Sequence, residues 1–247
     1  MRARLVLTTL VLTAASAQAQ AGKFPPDSFV NVKIFPKTMP VMNLIGSMRN
    51  FTGALGVRCT HCHLGEEGKP LTTFDFSSDE KRTKLVARQM LQMVGEINKR
   101  LDSIPGRVAG GPAVTCTTCH RGVARPMPLG QLLADAAVSS GADSATRAYR
   151  ALRQRLYGRD AYDFGEPSLT TAAFRTAQRG KHDDALSLLK LNEEFFPTSS
   201  NTSVVRGNVF LMKGDTSAAA GSFREAIRRD TSNGEARGRL REIGQKP

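Results

Sequence analysis

The residues of this 247-residue chain best placed to do chemistry are its four cysteines and four histidines. The cysteines fall as Cys59-Thr60-His61-Cys62-His63 and Cys116-Thr117-Thr118-Cys119-His120. Both runs are C-x-x-C-H. The three-residue step puts two sulfurs on one side of a tight helical turn, with an imidazole immediately after them. Thiols so placed add across the two vinyl groups of one porphyrin, and the imidazole then ligates the iron. Two disulfides, a zinc site built from four thiolates and a pair of redox dithiols are the rival uses of four cysteines. None of them calls for a His directly after the second Cys. With 4 His in 247 residues, two such hits are roughly a 1 in 4,000 coincidence. The sequence therefore predicts two covalently bound haem c groups, on Cys59, Cys62 and His63 and on Cys116, Cys119 and His120.

Each iron then needs a sixth ligand. His63 and His120 are spent on the proximal side, His61 lies inside the first motif, and His182 is distant in sequence. Methionine is the alternative. Met39, Met42, Met48, Met90, Met93 and Met127 all fall in the half that carries the motifs. The default role of any one Met is core packing, so the elements that carry them must narrow the choice.

From Thr38 to Leu55 the pattern is helical, with Val41, Leu44, Ile45, Met48, Phe51 and Leu55 on one stripe and Gly56 as the stop. A second helix is expected behind a Ser77–Glu80 capping box, with Val86, Met90, Met93, Ile97, Leu101 and Ile104 as its stripe and Pro105-Gly106 as its end. Met48 is suited to the first haem. Met90 and Met93 share a face, and either suits the second.

The stretch from Val30 to Pro128 resembles the cytochrome subunit of bacterial photosynthetic reaction centres. The matching pieces are Met48 with Ala54-Leu55-Gly56-Val57 and the first motif, Val86-Ala87-Arg88-Gln89-Met90-Leu91-Gln92-Met93, and Val114-Thr115 running into Cys116-Thr117-Thr118-Cys119-His120-Arg121-Gly122. That resemblance implies haem-binding units made of a helix with an axial Met, a turn and a C-x-x-C-H. It implies Met48 for the first iron and Met90 for the second. The photosynthetic members carry four haems and usually a lipid anchor, whereas this chain shows two motifs and no lipobox Cys.

The C-terminal half carries a different signal. Gly180-Lys181-His182-Asp183-Asp184-Ala185 and Gly214-Asp215-Thr216-Ser217-Ala218-Ala219 repeat at the helix-turn-helix period of tetratricopeptide (TPR) units. At the other end, Arg2 and Arg4, the apolar run Leu5 to Leu12 and the small residues up to Ala21 read as a secretory signal peptide. The formal charge is +13, which favours acidic partners or membrane surfaces. No basic run has interleaved aromatics, so nucleic acid is excluded as the expected partner.

The expected fold is all-α. It comprises a signal peptide over 1–21, a dihaem cytochrome c domain over 22–127, a helical linker over 128–164 and TPR-like repeats over 165–247. The expected function is that of a periplasmic electron carrier with no transmembrane helix. Its partners would be soluble or membrane-bound redox proteins, with a further protein partner for the repeats. The rivals are an electron donor to a photosynthetic reaction centre, a dihaem peroxidase and a redox-sensing scaffold.

Overall fold

A computed structural model describes residues 23–108 and 110–246. The leader-like segment of residues 1–21 lies outside the described residues. Among the described residues the regular elements are helices, with one isolated antiparallel bridge between Leu64 and Asp75. The fold is all-α, as expected. The chain divides into two compact units. One holds the described residues up to Gly53 together with Val57–Thr115, and the other holds Ala54–Gly56 together with the chain from Cys116 onward.

In the first unit, α1 spans Val41–Leu55. Its apolar pattern extends back to Thr38, but Met39 precedes Pro40, and a proline disfavours the α region for the residue before it. The helix therefore opens behind Pro40, whose carbonyl accepts from the Asn43 and Leu44 N–H groups at 3.0 and 3.2 Å. Gly56 stops it at φ +64. The Val57 N–H then reaches back to the Thr52 carbonyl at 3.1 Å, a Schellman-type closure.

The second helix of this unit, α2, spans Arg82–Asp102. The Ser77–Glu80 capping box does not form. Asp75 takes Ser77 first: its Oδ1 accepts from the Ser77 N–H and hydroxyl at 2.8 and 2.6 Å and from the Ser78 N–H at 2.9 Å. An Asp bonding to the backbone two residues ahead makes a turn, not a helix start. α2 begins after Lys81, which gives no side-chain cap.

The second unit is a succession of packed helices: α3 (Cys116–His120), α4 (Leu129–Leu156), α5 (Glu166–Gln178), α6 (His182–Phe195), α7 (Ser200–Lys213), α8 (Thr216–Arg229) and α9 (Gly234–Glu242). Gly141, at φ 80 and ψ 164, breaks α4 into two arms. The exposed Ala142 N–H after the break is taken by Asp184 Oδ1 at 2.7 Å. α5 and α7 start 34 residues apart, and so do α6 and α8.

One core joins α4, α5 and α6 through Leu133, Tyr149, Leu169, Leu188 and Leu189, all fully buried. Burying each leucine contributes about 1.5–3 kcal/mol. A smaller core under α7, α8 and α9 centres on Phe223. That ring lies where a Cβ on Gly207 would sit, only 2.4 Å from its Cε1.

Candidate functional site

The first C-x-x-C-H lies in the first unit. It forms a 3-10 turn over Cys59–His61, and the Cys62 and His63 N–H groups close on the Cys59 carbonyl at 3.2 and 2.9 Å. Cys59 is exposed, Cys62 is half-buried, and both thiols are free. The start of α2 holds this turn by its outward carbonyls. Lys81 Nζ donates to the Thr60 carbonyl, and the Thr83 hydroxyl donates to that of His61. Burial pushes the Cys62 thiol up, with Thr83 opposing.

His63 sits against an aromatic wall. The Leu64–Asp75 bridge, closed by the Asp75 N–H on the Leu64 carbonyl at 3.0 Å, returns the chain beside the motif. Phe76 then meets the His63 ring at 5.0 Å between centroids and 67° between planes. Phe24 and Phe74 back Phe76 at 5.5 and 5.6 Å. The buried Nδ1 of His63 has no hydrogen-bond partner among the described residues. The Phe76 carbonyl is near enough to favour the protonated ring but does not bond to Nδ1. Burial, followed by the Lys84 ammonium, outweighs it and pushes His63 down to about 4.

Lys84 builds the wall. It is a lysine 8% exposed, and a charge so buried must be paired. Its ammonium donates to the carbonyls of Phe76, Ser77 and Ser78 at 2.9, 3.1 and 2.7 Å. It also pairs with Asp79 Oδ1 at 3.1 Å. Arg88 grips the same carboxylate with both arms, at 2.8 and 2.9 Å. Asn31 closes the network by donating to Ser77 O and Asp79 Oδ1 at 2.6 and 2.9 Å. Arg88, then Asn31, hold the Asp79 carboxyl well below the usual carboxylate range.

The second C-x-x-C-H lies in the second unit and is α3 itself. Cys116 is half-buried, Cys119 is exposed, and both are free. Arg121 at φ 48 and Gly122 at φ 88 turn the chain sharply after it. That turn brings the Val123 carbonyl to His120 Nδ1 at 3.0 Å. A bond at Nδ1 fixes the ring and leaves Nε2 to ligate a metal, as the outer-shell partners of metal-bound histidines do. The Gly122 N–H is anchored on the Ala54 carbonyl at 2.8 Å. In the first unit, Asn98 makes two bonds to Val114, donating to its carbonyl at 2.9 Å and accepting from its N–H at 2.8 Å.

The methionines divide by exposure. Met48 is half-buried on α1. Met90 and Met93 stand 42% and 47% exposed on α2, in a row with Val86 at 45%, and Ile104 follows past the helix end at 52%. Met48, Met90 and Met93 belong to the unit that holds the first motif.

The sequence reading missed Lys84, Asn31 and Asn98, and it gave Asp79 only a charge for the first turn of the second helix, whereas α2 starts three residues later with no acidic residue in its first turn. Asn31 and Asn98 bond to partners far along the chain, and Lys84 bonds to residues 76–79 at spacings that no helical or turn pattern predicts. Only the high charge of α2's first turns hinted that some of it had a use.

These residues fit a haem bound through thioethers. Each motif offers two free thiols beside an imidazole, and α2 presents an apolar row long enough to lie along a flat macrocycle. An all-helical chain with this donor set has the make-up of a c-type cytochrome. Residues 7–151 match the family described as photosynthetic reaction centre cytochrome C subunit, and the chain belongs to that family. Over 99 residues it is also 33% identical to cytochrome c-554 of Chloroflexus aurantiacus, a match that takes in 36% of this chain. The chain spans about a fifth of that relative's length, 22%. Family and site together fit a chain that would hold haem c covalently through its cysteines.

Proposed function

We propose that the protein is a dihaem electron carrier of the periplasm. Cys59, Cys62 and His63 hold one haem, and Cys116, Cys119 and His120 hold the other. Met48 and Met90 complete the two irons, with Met93 one helical turn from the second assignment. The observation that carries this reading is the pair of C-x-x-C-H turns, each folded with both thiols free and the imidazole beside them.

When bound, each haem supplies a one-electron Fe(III)/Fe(II) couple, and a Met ligand in place of a second His raises its potential. The chain's own contribution is to orient the imidazoles and to keep water from the macrocycle with the apolar faces of α1 and α2. The basic surface favours acidic redox partners. No helix among the described residues is long and apolar enough to cross a membrane, and the leader-like residues 1–21 support export. The 34-residue spacing of the α5–α6 and α7–α8 pairs supports a TPR-like unit that docks a further protein. Family membership favours one second reading, in which the acceptor is a photosynthetic reaction centre.

Intact mass of the mature protein should exceed its polypeptide by two haems. A mass matching disulfides or zinc would end the reading. Met48→Ala and Met90→Ala should each leave one reduced haem able to bind carbon monoxide. If Met93→Ala does so and Met90→Ala does not, the second assignment moves by one turn. If neither Met90→Ala nor Met93→Ala opens a haem and His61→Ala does, that ligand is His61.

A further inference from the structure

The two proximal histidines are held in unlike ways, and the difference lies in charge. His120 Nδ1 is paired with the Val123 carbonyl at 3.0 Å. A ring that donates there is a stronger electron donor through its other nitrogen, which stabilises the oxidised metal. His63 Nδ1 is buried with no such partner among the described residues. In its place stands the Phe76 edge at 5.0 Å, and behind Phe76 the buried Lys84 ammonium on the Phe76 carbonyl at 2.9 Å.

We infer that Lys84 is a potential-setting residue that holds the couple at His63 above the couple at His120, with Asp79 as its counterweight. The inference rests on the dihaem reading above. A fixed positive charge in a poorly hydrated place disfavours the more positive state of a nearby metal, and burial protects that effect from screening by salt.

Lys84 reaches the wall through the Phe76 carbonyl at 2.9 Å, and the Phe76 ring meets His63 at 5.0 Å between centroids. The other charges set around this motif are Lys81, on the Thr60 carbonyl, and Asp75, which is held by Ser77 and Ser78. Asp79 offsets Lys84 by direct pairing at 3.1 Å. It is itself shared with Arg88, so the cluster keeps a net positive charge at this wall. Lys84 also shapes the wall, since its three carbonyl bonds fix residues 76–78. A purely structural role and an electrostatic one therefore need to be told apart.

The test is a spectroelectrochemical titration of the haem-loaded protein and three variants, with intact mass measured on each. Lys84→Met keeps the length and loses the charge. It should shift one couple about tenfold toward Fe(III) at fixed ambient potential, which is about 59 mV for one electron, and leave the other couple in place. Asp79→Asn should move the same couple the opposite way, and Lys84→Arg should leave it near its starting value.

If Lys84→Met does not load haem, the sign of the Asp79→Asn shift still decides. An unchanged couple in Asp79→Asn, or a shift in the same direction as in Lys84→Met, overturns the assignment and leaves Lys84 a structural clamp. A wild-type mass short of two haems removes the dihaem reading, and this inference falls with it. Two haems with unmoved potentials overturn the inference alone.

Discussion

Replacing Gly56 by Ala should unsettle the turn between α1 and the first haem-binding motif. Two costs add. Gly56 sits at φ +64, a left-handed conformation that costs an L-residue about 1–2 kcal/mol. Its new Cβ would also lie 2.0 Å from the Gly122 carbonyl oxygen and 2.9 Å from the carbonyl carbon. Those are backbone atoms of the turn after the second motif, and that turn is tied to the end of α1 through the Gly122 N–H on Ala54 O at 2.8 Å. The two backbones must part by roughly an ångström, which puts at risk a hydrogen bond with a net contribution of about 1 kcal/mol.

The sum is about 2–3 kcal/mol. For a chain of this size that lowers the melting temperature by about 4–12 °C. The assay is thermal unfolding of the haem-loaded protein followed by far-UV circular dichroism. Gly53→Ala is the control. It lies on the same helix with nothing within 4 Å of the added carbon, and alanine is the better helix former by up to about 1 kcal/mol. A Gly56→Ala protein that melts within 2 °C of wild type would refute the close approach of these two turns.

Two other outcomes follow from the second unit. Gly207→Ala should cost about 1–3 kcal/mol, read as a lower denaturant midpoint, because the fully buried Phe223 ring occupies the space that the methyl needs. Phe223→Leu in the same background should recover part of the loss. Arg228, then Arg229, lower the Glu225 carboxyl from 4.5 to about 2. Its folded-state value is thus depressed, so its contribution is complete above pH 4.5 and fades as pH falls toward 2. Glu225→Gln should flatten the melting temperature over that interval. The effect should be small, because the stronger partner, Arg228, is 73% exposed to water, and an unchanged acid limb would dismiss the contribution.

How much of this was legible beforehand differs from element to element. The C-x-x-C-H motifs declare their chemistry in one dimension, because thioether attachment needs two thiols and an imidazole within five consecutive residues. The all-α class was legible too, since α1 and α2 carry apolar stripes at helical spacing and Gly56 is a strong local stop. The 34-residue offset appeared first as a repeated Gly-x-x-x-x-Ala pattern and then as helix starts. In each case the determining interactions are local, so sequence neighbours carry the information.

The failures were also local readings, overruled by stronger neighbours. Ser77 and Glu80 look like a capping box, but Asp75 holds the Ser77 hydroxyl at 2.6 Å and ends the matter two residues earlier. The environment of His63 belongs to the tertiary structure. Asn31, Asp79, Lys84 and Arg88 are scattered over 57 residues, and no periodicity joins them. Their bonds exist because the bridge from Leu64 to Asp75 folds residues 76–79 back over the first motif. The sequence by itself marked the thiols and imidazoles proposed to hold haem. The carbonyl partner of His120 comes from the local turn at Arg121 and Gly122, whereas the buried lysine came to stand at the His63 wall only through the packing of residues 76–84 against the first motif.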